Sequence, residues 1–415
     1  MGTKPLNSPK SGESPDFSNK SSAAPIRGGL QFERRRGNDR AVLVQLALGK
    51  ALASDVADDL EELQALVSSA GADVVGTITG KRETPDPALF VGSGKAGEIA
   101  TTASGNAAEL VIFNHSLSGA QERNLERELQ CRVVDRRALI LDIFAQRARS
   151  AEGKLAVELA QLQHLSTRLV RGWSHLERQR GGIGLRGPGE KQLEMDRRII
   201  GDKIRMLKER LEKVERQRRT QRRQRERSRT VSIGIVGYTN AGKSTLFNRL
   251  TASRTYAADQ LFATLDTTVR KLFVPDAQPL VVSDTVGFVR ALPHELVDAF
   301  KATLLEAVES DLLLHVVDGA SEAREQQIET VNSVLDEIGA AHIPRLVVVN
   351  KCDLSGLTGE VGRIEIDPES GLPSRVFVSA RTGEGIPSLR QALQTHFPRQ
   401  NTYPFEGADD SAAAA

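Results

Sequence analysis

One stretch of the chain places glycine, lysine and serine at the spacing that binds nucleotide phosphates. It reads GYTNAGKS, follows a β-branched run over residues 231–236 and precedes a helix-like segment over residues 246–250. In this GxxxxGK[ST] pattern the glycines let backbone N–H groups close around phosphate oxygens, and the helix N-terminus adds positive potential. Lys243 would then contact the β- and γ-phosphates, and the Ser244 hydroxyl would ligate magnesium. The predicted phosphate loop, or P-loop, consists of Gly237, Tyr238, Thr239, Asn240, Ala241, Gly242, Lys243 and Ser244.

A threonine-rich segment after the P-loop has the residues of a switch I loop. A GTPase needs one threonine here to sense magnesium and the γ-phosphate. Thr264 is the predicted residue and, with Ser244, the predicted magnesium ligand, while Thr267 and Thr268 are rivals because spacing alone does not decide. The residues of this segment predicted to contact the nucleotide are Phe262, Ala263, Thr264, Leu265 and Asp266.

A second sensing element, switch II, is predicted where a strand-like run over residues 280–283 ends in DTVG. Asp284 occupies the position of a Walker B acid, which holds magnesium through its water shell. Gly287 can donate its backbone N–H to the γ-phosphate and so couple the loop to the nucleotide state. The predicted contacts are Asp284, Thr285, Val286 and Gly287, and the predicted catalytic residues are Lys243, Thr264 and Gly287.

The motif NKCD after a strand-like run over residues 345–349 predicts selection of guanine. The Asp353 carboxylate can accept hydrogen bonds from both the ring N–H and the exocyclic amine of guanine, a pair of donors that adenine lacks. Asn350 would brace the P-loop and Lys351 would cover the base. The backbone N–H groups that follow a later strand would reach the guanine oxygen. The residues assigned to base recognition are Asn350, Lys351, Cys352, Asp353, Val378, Ser379 and Ala380.

Hydrolysis of GTP to GDP and phosphate requires a water molecule in line with the γ-phosphate. Many GTPases orient this water with a glutamine directly after DxxG. Here that position is Phe288, whose ring cannot polarise water, so we predict slow intrinsic hydrolysis. Arg270 and Arg290 are candidate charge stabilisers, although surface arginines are more commonly solvated.

The bulk composition is that of an ordinary soluble protein, with 39% hydrophobic and 27% charged residues. No apolar run approaches the roughly 18–20 residues of a membrane span, and the polar N-terminus does not resemble a signal peptide. Cys131 and Cys352 alone cannot form a disulfide framework or a zinc site. These observations favour a reducing, cytoplasmic location.

Alternation of strand-like and helix-like segments predicts two α/β units with largely parallel sheets. We expect a disordered arm over residues 1–38, an N-terminal α/β domain over 39–150, a G domain over 230–397 and a polar tail over 398–415. A glycine-containing loop, Gly92-Ser93-Gly94-Lys95, has the wrong spacing for a P-loop and Ala96 where a magnesium ligand would stand. It is interpreted as a turn before a helix, with a second nucleotide or RNA contact as the weaker alternative.

Residues 151–229 have a different character and predict an antiparallel helical hairpin with a glycine-rich loop over 181–190. Apolar residues form one helical seam on each side of the loop. They are Leu155, Leu159, Leu162, Leu169 and Trp173 on the first side, and Leu193, Ile200, Ile204, Leu207, Leu211 and Val214 on the second. The charge of the chain is +2, but residues 151–230 alone carry +11, against +4, −4 and −9 for residues 1–40, 41–150 and 231–415. This excess favours binding to a polyanion such as RNA over a merely solvated surface.

The motifs together resemble those of the HflX GTPases. The resemblance rests on the hairpin loop GGIGLRGPGEKQLEMDRR at 181–198, on FATLD at 262–266 and on DTVGFVR at 284–290, and it extends over about residues 40–397. Thr267 stands where a proline is expected. The resemblance implies Mg²⁺-dependent GTP hydrolysis, binding to the large ribosomal subunit and its RNA through the N-terminal domain and hairpin, and splitting of stalled or idle ribosomes.

Other functions compete with ribosome splitting at this stage. One is a GTP-regulated RNA-binding switch that does not split ribosomes. Another is an adaptor whose helical hairpin pairs with a protein while the G domain is largely silent. ATP-driven RNA remodelling through Gly92–Lys95 ranks last. A monomer fits a hairpin that pairs with itself.

Overall fold

The computed structural model describes residues 39–49, 53–173, 188–227, 230–252, 261–262, 264–265, 267–290, 293, 296, 300, 307–354 and 356–399. Several expectations therefore lie outside the described residues. They concern the arm over 1–38, residues 181–187 of the glycine-rich loop, Ala263, Asp266 and the tail beyond residue 399.

The N-terminal unit is a four-stranded parallel sheet with helices on both faces. Its strands are β1 (Arg40–Leu48), β2 (Asp73–Arg82), β3 (Leu110–Phe113) and β4 (Arg132–Asp135), in the order β2-β1-β3-β4. Its helices are α1 (Ala53–Ala70), α2 (Ser93–Gly105), α3 (Gly119–Leu129) and α4 (Arg136–Arg147). Residues on opposite sides of β1 belong to two separate buried clusters, as expected for a sheet covered on both faces. Ser93–Lys95 begin α2, so the glycine-containing loop is a turn before a helix.

Two long helices follow and pack against each other. They are α5 (Ala151–Trp173) and α6 (Pro188–Arg227). Leu159 and Leu207 are buried in one cluster, and Leu155, Leu162, Ile204 and Leu211 pack around it. Since these residues repeat at heptad-like spacing, burial of the two seams holds the helices together.

Ion pairs attach α5 to the N-terminal sheet. Arg168 of α5 lies 2.5 Å from Glu122 of α3 and 3.1 Å from Asp135, the residue that caps α4. Burial raises the pKa of Glu122 to about 7, although Arg168 opposes this change. The N-terminal domain and the helical pair are thus joined by polar contacts as well as apolar ones. Within the described residues, no helix has the length and apolar character needed to cross a membrane.

The third unit is a seven-stranded sheet in the order β10-β11-β9-β8-β5-β7-β6. Its strands are β5 (Val231–Gly237), β6 (Thr268–Leu272), β7 (Leu280–Asp284), β8 (Leu312–Asp318), β9 (Arg345–Asn350), β10 (Ile364–Ile366) and β11 (Pro373–Phe377). The described helices around it are α7 (Lys243–Thr251), α8 (Arg324–Glu337) and α9 (Ile386–His396), with a 3₁₀ turn at Thr358–Glu360. Pairing is parallel except at the two edge strands, β6 and β10. The predicted fold class, a multidomain α/β protein with mostly parallel sheets, is confirmed.

The carboxyl ends of β5, β7 and β9 lie at one edge of this sheet, where ligands of open α/β sheets bind. The N-terminal domain packs against the same edge. Phe144 of α4 contacts Phe262 with ring centroids 4.6 Å apart and Phe300 at 5.2 Å. Consequently one buried apolar cluster continues from the N-terminal domain into the G domain.

Leu207→Ala tests the packing of the helical pair. Leu207 is 1% exposed, whereas its neighbour Met206 is 43% exposed. We expect Leu207→Ala to lower the free energy of unfolding by about 2–5 kcal/mol, because it deletes buried methyl groups and leaves a cavity. Met206→Ala should change it by less than about 1 kcal/mol. Denaturant unfolding of both variants checks this, and equal losses would contradict the packing described.

Candidate nucleotide-binding site

The P-loop connects the central strand β5 to α7. Its last glycine, Gly242, has a φ of 90°, and a Cβ atom there would lie 2.3 Å from Asn350 Nδ2. Only glycine accepts both this backbone conformation and this close approach. Lys243 and Ser244 are therefore the first residues of α7, where free backbone N–H groups and the helix dipole favour an anion.

Lys243 is a buried cation. The residue is 7% exposed, and its Nζ donates a hydrogen bond of 2.7 Å to the carbonyl oxygen of Tyr238. Burial lowers the pKa of Lys243 to about 8, with the nearby carboxylate of Asp284 acting in the opposite direction. A buried ammonium group is costly unless an anion compensates it, so this position favours a phosphate ligand.

Three oxygen-bearing side chains meet beside the start of α7. Ser244 Oγ lies 2.6 Å from Thr264 Oγ1 and donates to Asp284 Oδ2 at 2.7 Å. Thr264 Oγ1 donates to the same carboxylate oxygen at 3.1 Å. Thr264 makes these contacts, whereas Thr267 Oγ1 is buried and has no hydrogen-bond partner among the residues that the structure describes, and Thr268 begins β6. Among the rival threonines of switch I, Thr264 is the one placed beside the P-loop serine.

Asp284 ends β7 and is fully buried. Burial raises its pKa, while hydrogen bonds from Ser244 and Thr264 and the charge of Lys243 lower it. Its second oxygen, Oδ1, has no hydrogen-bond partner among the described residues. A carboxylate with one oxygen unsatisfied and two hydroxyls beside it offers oxygen donors of the kind that magnesium prefers, with water and phosphate oxygens completing its coordination.

The base-recognition segment is joined directly to the P-loop. Asn350 Nδ2 donates to the carbonyl oxygen of Ala241 at 2.8 Å, and its Oδ1 accepts from the N–H of Ala380 at 2.9 Å. Asp353 Oδ1 accepts from the Ser379 hydroxyl at 2.7 Å. These bonds hold the NKCD segment and the segment after β11 as two sides of one recess.

The backbone N–H groups of Val378, Ser379 and Ala380 all have acceptors within the protein. They donate to Val349 O, Glu384 O and Asn350 Oδ1, respectively. A bond from Ala380 to the guanine oxygen, as expected from sequence, would share or replace the bond to Asn350. Base recognition by Asp353 stays a prediction.

Several predicted contact residues are placed as packing residues instead. Their side chains are 5% exposed or less and lie in the apolar clusters; they are Phe262, Leu265, Val286, Cys352 and Val378. Thr285 is also buried, and its hydroxyl donates to the carbonyl oxygen of Ile235 at 2.6 Å. Any contact of these residues with a nucleotide would come from their backbone.

The two arginines considered as charge stabilisers are engaged elsewhere. Arg290 pairs with Asp59 of α1 at 2.9 Å and also donates to Gln326 of α8. Arg270 donates to the carbonyl oxygen of Val269 and is exposed. Both guanidinium groups therefore hydrogen-bond to acceptors within the protein, and Arg290 also lines the cavity that runs along the P-loop.

A cavity of about 450 Å³ lies along the P-loop and is bounded by both domains. Its G-domain side includes Thr239, Asn240 and Lys351, and its other side is the acidic face of α1 with Asp58, Glu61 and Glu62. Local motifs did not identify these α1 residues. The acidic run DDLEE at 58–62 was the available signal, but it has no spacing characteristic of a nucleotide site.

Asp353→Asn tests guanine selection. The new amide cannot accept the two guanine N–H groups, so we expect the affinity for GTP to fall by at least about 100-fold. Xanthosine triphosphate, which has a carbonyl oxygen in place of the exocyclic amine, should bind the variant better than GTP does. Equilibrium titration with both nucleotides measures this change, and Glu329→Gln, an exposed carboxylate on α8, is the control. Unchanged GTP affinity in Asp353→Asn would contradict the assignment.

Comparison with known protein families matches consecutive parts of the chain. Residues 57–145 match the family described as GTP-binding GTPase N-terminal, and residues 147–225 match the GTP-binding GTPase Middle Region. Residues 232–351 match the family described as 50S ribosome-binding GTPase.

Individual proteins are similar over most of their length. The chain is 56% identical over 362 residues to GTPase HflX of Escherichia coli, covering 87% of this chain and 84% of that protein. It is 46% identical over 364 residues to GTPase HflX of Magnetococcus marinus, covering 88% and 83%. A GTP-binding protein from Sulfolobus solfataricus in complex with GDP is 26% identical with a TM-score of 0.44, covering 86% of this chain and 97% of that chain.

High identity over more than four-fifths of both chains, together with three matching domain families in the same order, shows that the chain belongs to the HflX family of GTPases.

Proposed function

We propose that this GTPase binds the large ribosomal subunit and splits stalled or idle ribosomes, with GTP hydrolysis controlling its release. The single observation that carries the proposal is that one chain contains both a nucleotide-binding cleft of the GTPase type and a strongly basic pair of helices. Residues 151–230 carry a net charge of +11 in a chain whose total is +2. Arg205 and Arg216 on α6 have side chains that are 75% and 76% exposed, and each lies 3.6 Å from a carboxylate of the same helix, a loose surface pair that a phosphate would replace.

The roles proposed within the cleft follow from its chemistry. Lys243 would neutralise the β- and γ-phosphates, and Gly287 would donate its N–H to the γ-phosphate. Asp353 and Asn350 would recognise the base and hold the recess around it. In this scheme the protein supplies orientation and compensating charge for the transferred phosphoryl group, which is most of what phosphoryl transfer requires.

Magnesium fits the residues beside α7. Ser244 and Thr264 would be its direct ligands, and Asp284 would act through the water shell, because its buried Oδ1 has no hydrogen-bond partner within the part of the chain that the structure describes. When bound, the ion would neutralise charge that develops on the phosphate oxygens. The hydroxyls of Ser244 and Thr264 both hydrogen-bond to Asp284 Oδ2, which keeps the three side chains together.

The residue directly after the DTVG motif has a side chain that cannot polarise water. Phe288 follows the DTVG motif and is 1% exposed, packed in the cluster shared with the N-terminal domain. Its backbone is also bonded to the P-loop. Slow intrinsic hydrolysis follows, and the ribosomal subunit would accelerate it by reordering the switches or by supplying a group in trans. Monomeric action is part of the proposal, because α5 and α6 bury their apolar seams within one chain.

Turnover of GTP by the purified protein, alone and with large ribosomal subunits, tests the proposal. We expect subunits to raise kcat by at least about ten-fold, since activating partners of slow GTPases act through the same switches. The complex formed with a non-hydrolysable GTP analogue should weaken steeply with added salt. If the protein bound to that analogue separates ribosomes into subunits, it splits ribosomes; if it binds without separating them, it only binds RNA. Unchanged turnover and no complex at low salt would contradict the ribosomal role.

Phe288→Gln tests whether water positioning limits the basal rate. A glutamine in this buried position would reach the nucleotide only after switch II rearranges, so we expect the basal kcat to rise by less than about ten-fold. Phe288→Leu, which keeps an apolar side chain, is the matched control for lost packing. A large basal increase specific to the glutamine variant would show that the missing side chain alone accounts for slow hydrolysis.

A further inference from the structure

The turn after β8 packs directly against the base-recognition segment. β8 and β9 are neighbouring parallel strands, and their register places Asp318 beside Asn350. The Gly319 N–H donates to the Asn350 carbonyl oxygen at 2.8 Å, and a Cβ atom on Gly319 would lie only 2.9 Å from that oxygen. The glycine therefore permits a close approach that fixes where the NKCD segment leaves the sheet.

Lys351 has an unusual backbone conformation at this point. Its φ is 61°, in the left-handed region that residues with a Cβ atom rarely adopt. Its neighbours Asn350 and Cys352 are both buried. The Lys351 side chain is only partly buried and lines the cavity of about 450 Å³ along the P-loop. A backbone conformation of this kind persists where the surrounding contacts hold it in place.

Asp318 holds the charged end of the Lys351 side chain. Lys351 Nζ donates to Asp318 Oδ2 at 2.7 Å, and the two side chains are 25% and 19% exposed. The other carboxylate oxygen, Oδ1, accepts the Ala320 N–H at 3.0 Å. The backbone of the turn thus orients the carboxylate, and the carboxylate orients the ammonium group. Hydrogen bonds between charged groups are shorter and stronger than those between neutral groups.

The location of the Lys351 charge matters because a second lysine lies in the same site. Burial lowers the pKa of Lys243 to about 8, the charge of Asp284 opposes this change, and the charge of Lys351 adds to it. Without Asp318, the Lys351 ammonium group would move on a flexible four-carbon stem. Pairing with Asp318 compensates the charge and fixes its location, and the stem can then cover an apolar surface such as the face of a base.

We propose that Asp318 is a positioning residue for guanine recognition, acting through Lys351 to hold the lysine stem where the face of the bound base would lie. Because the base is common to both nucleotides, Asp318 contributes equally to the affinities for GDP and for GTP. The inference rests on the proposed contact of Lys351 with the base, and it does not depend on the ribosome as partner. It adds a residue from the end of β8, outside the motifs found in the sequence, to the nucleotide site.

Asp318→Asn tests the proposal because it removes the charge and keeps an oxygen that can accept the Ala320 N–H. Equilibrium titration with GDP and with a non-hydrolysable GTP analogue measures the effect. We expect both nucleotides to bind about five- to ten-fold more weakly, the size expected for one hydrogen bond between charged, partly exposed groups. An unchanged affinity, a loss confined to one nucleotide, or tighter binding by a lysine released toward the phosphates would overturn the proposal.

Lys351→Ala separates positioning of the lysine from a structural effect on the turn. It removes both the stem and the charge, so it should weaken both nucleotides at least as much as Asp318→Asn does. In that background Asp318→Asn should change the affinities by less than about two-fold, because both substitutions break the same connection. Equal losses in both backgrounds would mean that Asp318 acts on the turn alone, which would overturn the proposal.

The two single variants also distinguish failure of this inference from failure of the base contact on which it rests. Unchanged affinities in Lys351→Ala would show that Lys351 does not contact the base, and both would fall. Weaker binding in Lys351→Ala with none in Asp318→Asn would overturn only the role of Asp318. Thermal unfolding verifies that each variant folds. Should Asp318→Asn fail to fold, Asp318→Ser, whose hydroxyl can also accept the Ala320 N–H, decides the matter.

Glu322→Gln is the matched control for charge. Glu322 is exposed and lines the same cavity, and within the described part of the chain no ion pair joins it to Lys351. We expect this variant to change the affinity for either nucleotide by less than about two-fold. An effect equal to that of Asp318→Asn would overturn the proposal, because loss of negative charge beside the cleft would then explain both results.

Discussion

The buried ammonium group of Lys243 is the constraint around which the G domain is arranged. Lys243 lies at the start of α7, is buried, and donates a hydrogen bond to a backbone carbonyl oxygen. It is also close to the fully buried Asp284. A cation in this environment is compensated fully only by an anionic ligand, and the free N–H groups of the helix start favour the same ligand. The P-loop around Lys243 is shaped by Gly242, by the ends of the neighbouring strands and by the hydrogen bond from the Asn350 amide. Together they enclose the ammonium group on the protein side and leave the other side accessible to phosphates.

The same edge of the sheet is where the N-terminal domain docks, and this shared location gives the molecule its means of coupling. Leu261 N–H donates to Ser69 Oγ of α1 at 3.0 Å, and Phe262 packs on Phe144 of α4. Switch II is held through Tyr238 and Arg290. Both switches therefore touch the domain that, with the basic helices, would meet the ribosome. We therefore expect a change at the γ-phosphate to alter this interface, since packed interfaces switch between discrete arrangements.

Much of the G domain could be predicted from local sequence because its chemistry depends on short-range spacing. The strand–loop–helix around Lys243, the aspartate that ends β7 and the NKCD segment after β9 lie where their motifs indicated. The choice among three threonines required the fold, since Thr264 and Ser244 come together only in the folded protein. The packing roles of Leu265 and Cys352 could not be predicted from the sequence either, because a motif does not distinguish backbone contacts from side-chain contacts.

The contacts between the N-terminal domain and the G domain could not be predicted from the sequence, for a physical reason. Tyr238 and Glu62 are 176 positions apart, and Arg290 and Asp59 are 231 apart. No periodicity or local spacing connects such pairs, and the three charged residues among them are each typical of a solvated surface. For the same reason Arg290, considered as a stabiliser of phosphate charge, proved to be a partner of α1.

The central claim is that nucleotide and ribosome act on one set of switches, and thermodynamic linkage tests it most directly. Binding of a non-hydrolysable GTP analogue would be titrated with the free protein and with the protein saturated by large ribosomal subunits. By reciprocity, any factor by which the analogue tightens the ribosomal complex must appear in the analogue's own affinity. The account predicts tighter analogue binding in the presence of subunits, by at least about five-fold, with little change for GDP. Equal affinities of the analogue in both conditions would contradict it.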